Sequence, residues 1–153
     1  MQTLSIQYKS FNHYSELPES DQALVNQAYD IAKDAYAPYS KFHVGAAVLL
    51  ENGEIILGSN QENIAFPSGL CAERVALFHC GAIHPTTKVV KIVIVAKGDL
   101  VPMDKILSPC GGCRQVMLET EVRQKAPYEV ILVSQNGQTI VFNAASDLLP
   151  FGF

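Results

Sequence analysis

Three cysteines of this chain, Cys71, Cys110 and Cys113, carry the residue type and spacing that most directly suggest chemistry. Cys110 and Cys113 lie in "SPCGGCRQVMLE", Ser108 to Glu119, directly after Pro109. A C-x2-C pair is shared by redox dithiols and by half of a zinc site, so alone it decides nothing. Cys71 stands 39 positions upstream of Cys110 in "PSGLCAERVALF", behind Pro67 and Gly69 and ahead of helix-forming residues. Both segments therefore read as helix starts, where unsatisfied N–H groups and the helix dipole favour a thiolate, the form that zinc binds. Three thiolates can supply three ligands and leave a fourth position for water, the arrangement of catalytic rather than structural zinc. Cys80 is excluded if its segment is helical, because nine residues of helix rise by about 13 Å. Two sulfurs on one zinc lie no more than about 4.6 Å apart. Cys80 reads as a small core residue. His79 fails on the same ground, and His13, His43 and His84 show no paired ligand spacing.

Glu73 follows Cys71 by two residues. On its own it is an acid of the kind favoured in a first helical turn. Beside a metal ligand it is also a carboxylate able to take a proton from activated water and pass it on. Three thiolates on a dication leave a formal charge of about −1, which weakens the acidification of that water. Arg74, adjacent and always cationic, offsets this if it bonds ligand sulfurs, and Arg114 is a second candidate.

These residues need helices and strands to bring them together, and the rest of the chain supplies the pattern. At 153 residues the chain suits a single domain. The apolar runs Val44 to Leu50 and Ile92 to Ala96 are far shorter than the ~20 residues of a membrane span, and Met1 to Tyr14 is too polar for a secretory signal. The expectation is a soluble, cytoplasmic protein without a membrane partner. Net charge is −4, with Lys and Arg scattered; nucleic acid is an unsuitable partner and a small neutral ligand fits better.

Residues 1–19 read as a loosely attached polar arm, with Ser20 as helix N-cap, and residues 20–153 as one domain. Leu24, Ala28, Ile31 and Ala35 form a helical stripe over Asp21 to Tyr36, ended by Pro38. Val44 to Leu50 and Glu54 to Gly58 flank an Asn52-Gly53 turn as a hairpin. Cys71 to Ala82 reads as a helix, Val89 to Ala96 as a central strand, and Cys110 to Lys125 as a helix. Glu129 to Ser134 and Thr139 to Phe142 flank Asn136-Gly137 as a second hairpin. The order α, β, β, α, β, α, β, β predicts an α/β fold, a three-layer α/β/α sandwich around one mixed sheet of about five strands.

"CAER" at Cys71 to Arg74 together with "PCGGCRQ" at Pro109 to Gln115 resembles the small, homotetrameric, zinc-dependent cytidine deaminases. "YSKFHVGAA" at Tyr39 to Ala47, "NQEN" at Asn60 to Asn63 and "LLPFGF" at the C-terminus resemble the same family's other landmarks, so the likeness covers about residues 36–153. It implies one zinc ion per chain held by Cys71, Cys110 and Cys113, with Glu73 shuttling protons while zinc-activated water replaces the amine at C4 of cytosine. The implied products are uridine or 2'-deoxyuridine and ammonia. The resemblance further implies that Asn60 and Glu62 bond the ribose 3'-hydroxyl, that Phe42 packs near the base, and that backbone around Ala72 and Ser108 reads the pyrimidine edge. Phe153 would reach into a neighbouring subunit's site, making the active site shared within a homotetramer. Phe66 stands where family members often have Tyr, which removes one hydroxyl. Two other readings stand beside this one: a deaminase of a modified cytosine nucleoside such as a nucleoside antibiotic, and a redox or structural protein built on Cys110 and Cys113.

Overall fold

The computed structural model describes all 153 residues. Its elements in chain order are β1 (Lys9–Phe11), α1 (Glu19–Ala32), β2 (His43–Leu50), β3 (Ile55–Ser59), α2 (Ala72–Ile83), β4 (Val89–Lys97), α3 (Gly111–Gln124), β5 (Glu129–Val133) and β6 (Thr139–Phe142). Short 3-10 turns at Tyr14–Glu16, Phe66–Ser68 and Ala145–Leu148 join them. One sheet runs β1-β6-β5-β4-β2-β3, with β4 and β5 parallel and every other neighbouring pair antiparallel.

Alternation along the strands splits the interior into two layers. Ala46, Val48, Ile92, Ile94, Val130 and Leu132 face Ala76 and Leu77 of α2 and Met117 of α3. Their neighbours Ala47, Val93, Val95, Ile131 and Val133 face Leu24, Val25, Ala28 and Ala32 of α1. The sheet is thus covered on both faces, which explains why β4 shows no polar alternation. Each fully buried Val, Leu or Ile contributes roughly 1.5–3 kcal/mol of transfer free energy, so these two layers carry most of the stability. Gly53 and Gly137 hold φ of +86° and +89°, the left-handed backbone that the two Asn-Gly hairpin turns demand.

The sheet has six strands because residues 9–11, inside the segment read as an arm, add an edge strand beside β6. Tyr14 N also bonds Gly137 O at 3.0 Å, so this segment is tied down from Lys9 onward. Helix α1 ends four residues earlier than its periodicity suggests. Pro38 disfavours helix at the residue before it, and Tyr36 instead exchanges backbone bonds with Asn60 and Glu62 (3.0 and 2.8 Å). Ser20 is not the N-cap: the first helical bonds run from Asp21 N and Gln22 N to Pro18 O, which moves the start two residues upstream. In α2 and α3 the flanking N-cap positions are Cys71 and Cys110 themselves.

Candidate active site

The N-termini of α2 and α3 bring the three cysteines together. Their sulfurs lie within 4.8 Å of one another, and Cys71 Sγ is 3.8 Å from Cys110 Sγ. Two Zn–S bonds of ~2.3 Å meeting at a tetrahedral angle span about 3.8 Å, so this edge already has the dimension of a tetrahedral zinc site. All four cysteines are free thiols. Cys80 is buried away from the cluster, where burial pushes its thiol up to about 11, as suits a core residue.

The surroundings favour negative sulfur at Cys71. Cys71 is held well below the ordinary thiol range, first by a hydrogen bond with Cys113 and further by Arg74. Cys113, as the partner in that bond and itself buried, is pushed the other way. Arg74 Nη2 lies 3.8 Å from Cys71 Sγ, and Arg74 Nε is buried with no hydrogen-bond partner. An Nε–H shut off from solvent with no acceptor is costly unless an anion lies close, and the Cys71 sulfur is the anion at hand. Arg114 does not share this role. Its guanidinium bonds Pro109 O, Ser108 Oγ and Leu148 O instead, because its position one residue past Cys113 turns it away from the cluster.

Glu73 is 4% exposed in the first turn of α2. Burial, with the nearby Cys71 charge adding to it, pushes its carboxyl up to about 7. A carboxyl in that range accepts and donates protons with comparable ease at neutral pH.

Cys71, Glu73, Arg74 and Cys110 line one cavity of about 690 Å³, and so do Phe42, Asn60, Glu62 and Ser108. Ala72 is fully buried behind its wall, and Phe153 lies fully exposed outside it, its carbonyl accepting from Gln115 Nε2 at 2.8 Å. Asn60 anchors the start of β2: its Nδ2 donates to Phe42 O (2.8 Å) and its Oδ1 accepts from Val44 N (2.7 Å), leaving one N–H free. The Glu62 carboxylate accepts from Tyr39 N at 2.8 Å, Ser40 N at 3.3 Å and the Ser40 hydroxyl. The Ser40 hydroxyl is the main cause holding that carboxyl below its usual range. Of the roughly four acceptor sites on a carboxylate, about one then remains for a ligand. Ser40 and Tyr39 were given no role by sequence reasoning; the only local signal was their place in "YSKF", 22 and 23 residues from Glu62. Leu70, Leu100 and Leu107 also line the cavity and carry no sequence signature at all.

The family model described as "Cytidine and deoxycytidylate deaminase zinc-binding region" matches residues 18–128. The chain belongs to the cytidine and deoxycytidylate deaminases. A cytidine deaminase of Halalkalibacterium halodurans is 42% identical over 132 residues, 86% of this chain and 92% of that one. One from Mycobacterium tuberculosis is 39% identical over 67% of this chain and 74% of its own. Among solved structures, cytidine deaminase from Burkholderia pseudomallei superposes with a TM-score of 0.75 and 37% identity, covering 86% of this chain and 98% of the other. As a zinc-dependent deaminase, the chain binds one Zn²⁺, for which the cluster of Cys71, Cys110 and Cys113 fits in donor type, separation and charge compensation.

Proposed function

We propose that this deaminase hydrolyses the free nucleosides cytidine and 2'-deoxycytidine, with Glu73 as the catalytic proton carrier. The observation that carries the reading is one buried carboxyl two residues from Cys71 of a three-sulfur cluster, with Glu73, Cys71 and Cys110 all lining a single cavity large enough to admit a nucleoside. Zinc held by Cys71, Cys110 and Cys113 supplies the acidity that makes water a nucleophile near neutral pH. Glu73 accepts a proton from that water and delivers it to N3 of the pyrimidine as the water oxygen bonds C4. Glu73 then carries the second water proton to the exocyclic amine, the C4–N bond breaks, and ammonia leaves with uridine or 2'-deoxyuridine remaining. The balance is one water consumed and one ammonia released.

The substrate-binding roles follow the donors and acceptors left over. The last acceptor site of Glu62 and the free N–H of Asn60 take the ribose 3'-hydroxyl. Phe42 packs against the base, and backbone groups at Ala72 and Ser108 read its polar edge. Arg74 is the one cation lining the cavity, and it is committed to Cys71. A 5'-phosphate would therefore find no free cation, which favours nucleosides over monophosphates. We read residues 20–153 as the deaminase domain, to whose sheet β1 of the preceding segment adds an edge strand, acting in pyrimidine salvage in the cytoplasm. Phe153 completes a neighbour's site within a homotetramer.

Ultraviolet absorbance of cytidine, 2'-deoxycytidine, cytosine, cytidine 5'-monophosphate and a nucleoside-antibiotic analogue with zinc-quantified protein tests the reading. Turnover of the two nucleosides well above the rest supports it. Preference for the monophosphate or the analogue would overturn the substrate assignment.

A further inference from the structure

Arg114 joins three segments with one side chain. Its Nε donates to Pro109 O (2.9 Å) and its Nη2 to Ser108 Oγ (2.6 Å), holding the loop that supplies Ser108 to the cavity wall and ends at Cys110. Its Nη1 donates to Leu148 O (3.1 Å), the last residue of the 3-10 turn at Ala145–Leu148. The same helix grips this C-terminal segment at three further points. Gln115 Nε2 donates to Phe153 O, and Gly152 packs so closely on Leu118 that a β-carbon would overlap it. Glu121 accepts from Ala145 N (2.6 Å) and Ser146 N (3.4 Å). Arg114, Leu118 and Glu121 are spaced i, i+4, i+7, which puts them on one stripe of α3. Cys113 and Met117 lie one position earlier and are fully buried. One stripe of α3 thus faces the metal ligands and core, and the adjacent stripe cradles residues 145–153.

We propose that Arg114 is a positioning residue that couples the C-terminal segment to the cavity wall. A guanidinium is a rigid plane whose donors keep fixed mutual directions, so Arg114 cannot follow a displaced Leu148 and still hold both Pro109 and Ser108. Loosening the C-terminal segment therefore loosens the Ser108–Pro109 loop, and the link runs equally in reverse. The effect on substrate affinity rests on the cavity being the nucleoside site, as proposed above; the mechanical link does not.

The test uses full-length, zinc-loaded protein with Arg114→Gln, Arg114→Lys, Glu121→Ala, and the double variant Arg114→Gln/Glu121→Ala. Amide hydrogen exchange of residues 105–110 and 145–153 is read first, then zinc content, then kcat and KM for cytidine. Glu121 bonds the start of the C-terminal segment and makes no hydrogen bond to the Ser108–Pro109 loop, yet Glu121→Ala is expected to speed exchange at 105–110 and to raise KM. Arg114→Gln should do the same with a roughly ten-fold rise in KM, about the loss of one charge-assisted hydrogen bond, with zinc retained. In the double variant the Glu121→Ala effect on the loop should vanish, because the connecting side chain is gone. Arg114→Lys keeps the charge and a smaller version of the effect, and covers the case in which Arg114→Gln does not fold. Unchanged loop exchange in Glu121→Ala, or independent additive effects in the double variant, would overturn the coupling. Faster loop exchange in a protein that does not turn over cytidine would overturn the substrate reading and leave the coupling standing.

Discussion

Cys110 is an exposed thiol, and only its 3.8 Å approach to Cys71 makes it part of a site. Serine is a good N-cap, so Cys110→Ser should leave α3 formed and the protein folded while removing one soft ligand. Its zinc affinity is expected to fall by more than the roughly 10–100-fold that loss of a supporting partner costs, measured by competition with a chelating dye. Arg74→Gln belongs within that range, because it leaves three sulfurs in place and removes the cation that compensates them. A variant with unchanged zinc affinity at Arg74 would show that the helix N-termini alone balance the charge. Glu62 differs from these residues in that its neighbours, Tyr39 and Ser40, have already taken most of its capacity. Ser40→Ala should therefore raise KM for cytidine more than it lowers kcat, since the carboxylate stays but loses its orientation.

At the scale of elements, the site depends on how closely α2 approaches the sheet. Gly58 of β3 lies under the first turn of α2, where a β-carbon would come within 2.6 Å of Ala72 O and Ala76 N. Both are backbone atoms that cannot move aside. Gly58→Ala should push the start of α2 outward, costing about 1–3 kcal/mol by overpacking and weakening zinc binding with it. Thermal unfolding combined with zinc titration reads both effects. On the opposite face Lys91 of β4 reaches Asp21 of α1 and Glu129 of β5, the latter at 2.8 Å. Burial opposes the charge on Lys91, but the hydrogen bonds to Asp21 and Glu129 outweigh it and raise the ammonium above its usual value. The pair's contribution is thus fully present below the unfolded lysine value of about 10.4 and is lost as pH rises through the higher folded one. Thermal stability of Lys91→Met relative to the natural chain should show a deficit at pH 7 that shrinks above about pH 11.

The placement of Cys71, Glu73, Cys110 and Cys113 at two helix starts is legible in the sequence, because helix signals act over a few residues. The hairpins were legible from Asn52-Gly53 and Asn136-Gly137, whose backbone demand is local. β1 was not, because three residues with mostly exposed side chains carry no alternation; only their pairing with β6 makes them a strand. The end of α1 is not legible for a related reason: Tyr36 is recruited by residues 60–62, a contact that no periodicity within the helix announces. The sequence neighbourhood of Arg114 suggests a place near the sulfurs, but one residue along a helix is a 100° turn, enough to send it to Leu148 instead.

The molecule as a whole presents an apolar surface around the mouth of its cavity. Phe66 is 77% exposed and Leu100 62%, both lining the opening, and Ile64 in the same loop is 82% exposed. Exposed apolar residues gathered around a ligand site suit a protein interface, which is where a homotetramer would bury them. Light scattering at micromolar concentration is expected to give four chains per particle, and Phe66→Glu should shift it toward smaller species with a loss of activity; a fully active monomer would contradict the shared site. The central claim concerns the cavity itself: a carboxyl buried beside a zinc-binding cluster moves the protons of a hydrolytic deamination. The most direct measurement is cytidine turnover by Glu73→Gln with zinc quantified in the same sample. The account predicts about one zinc per chain together with a fall in kcat of at least roughly 10²-fold, and undiminished turnover at full zinc occupancy would contradict it.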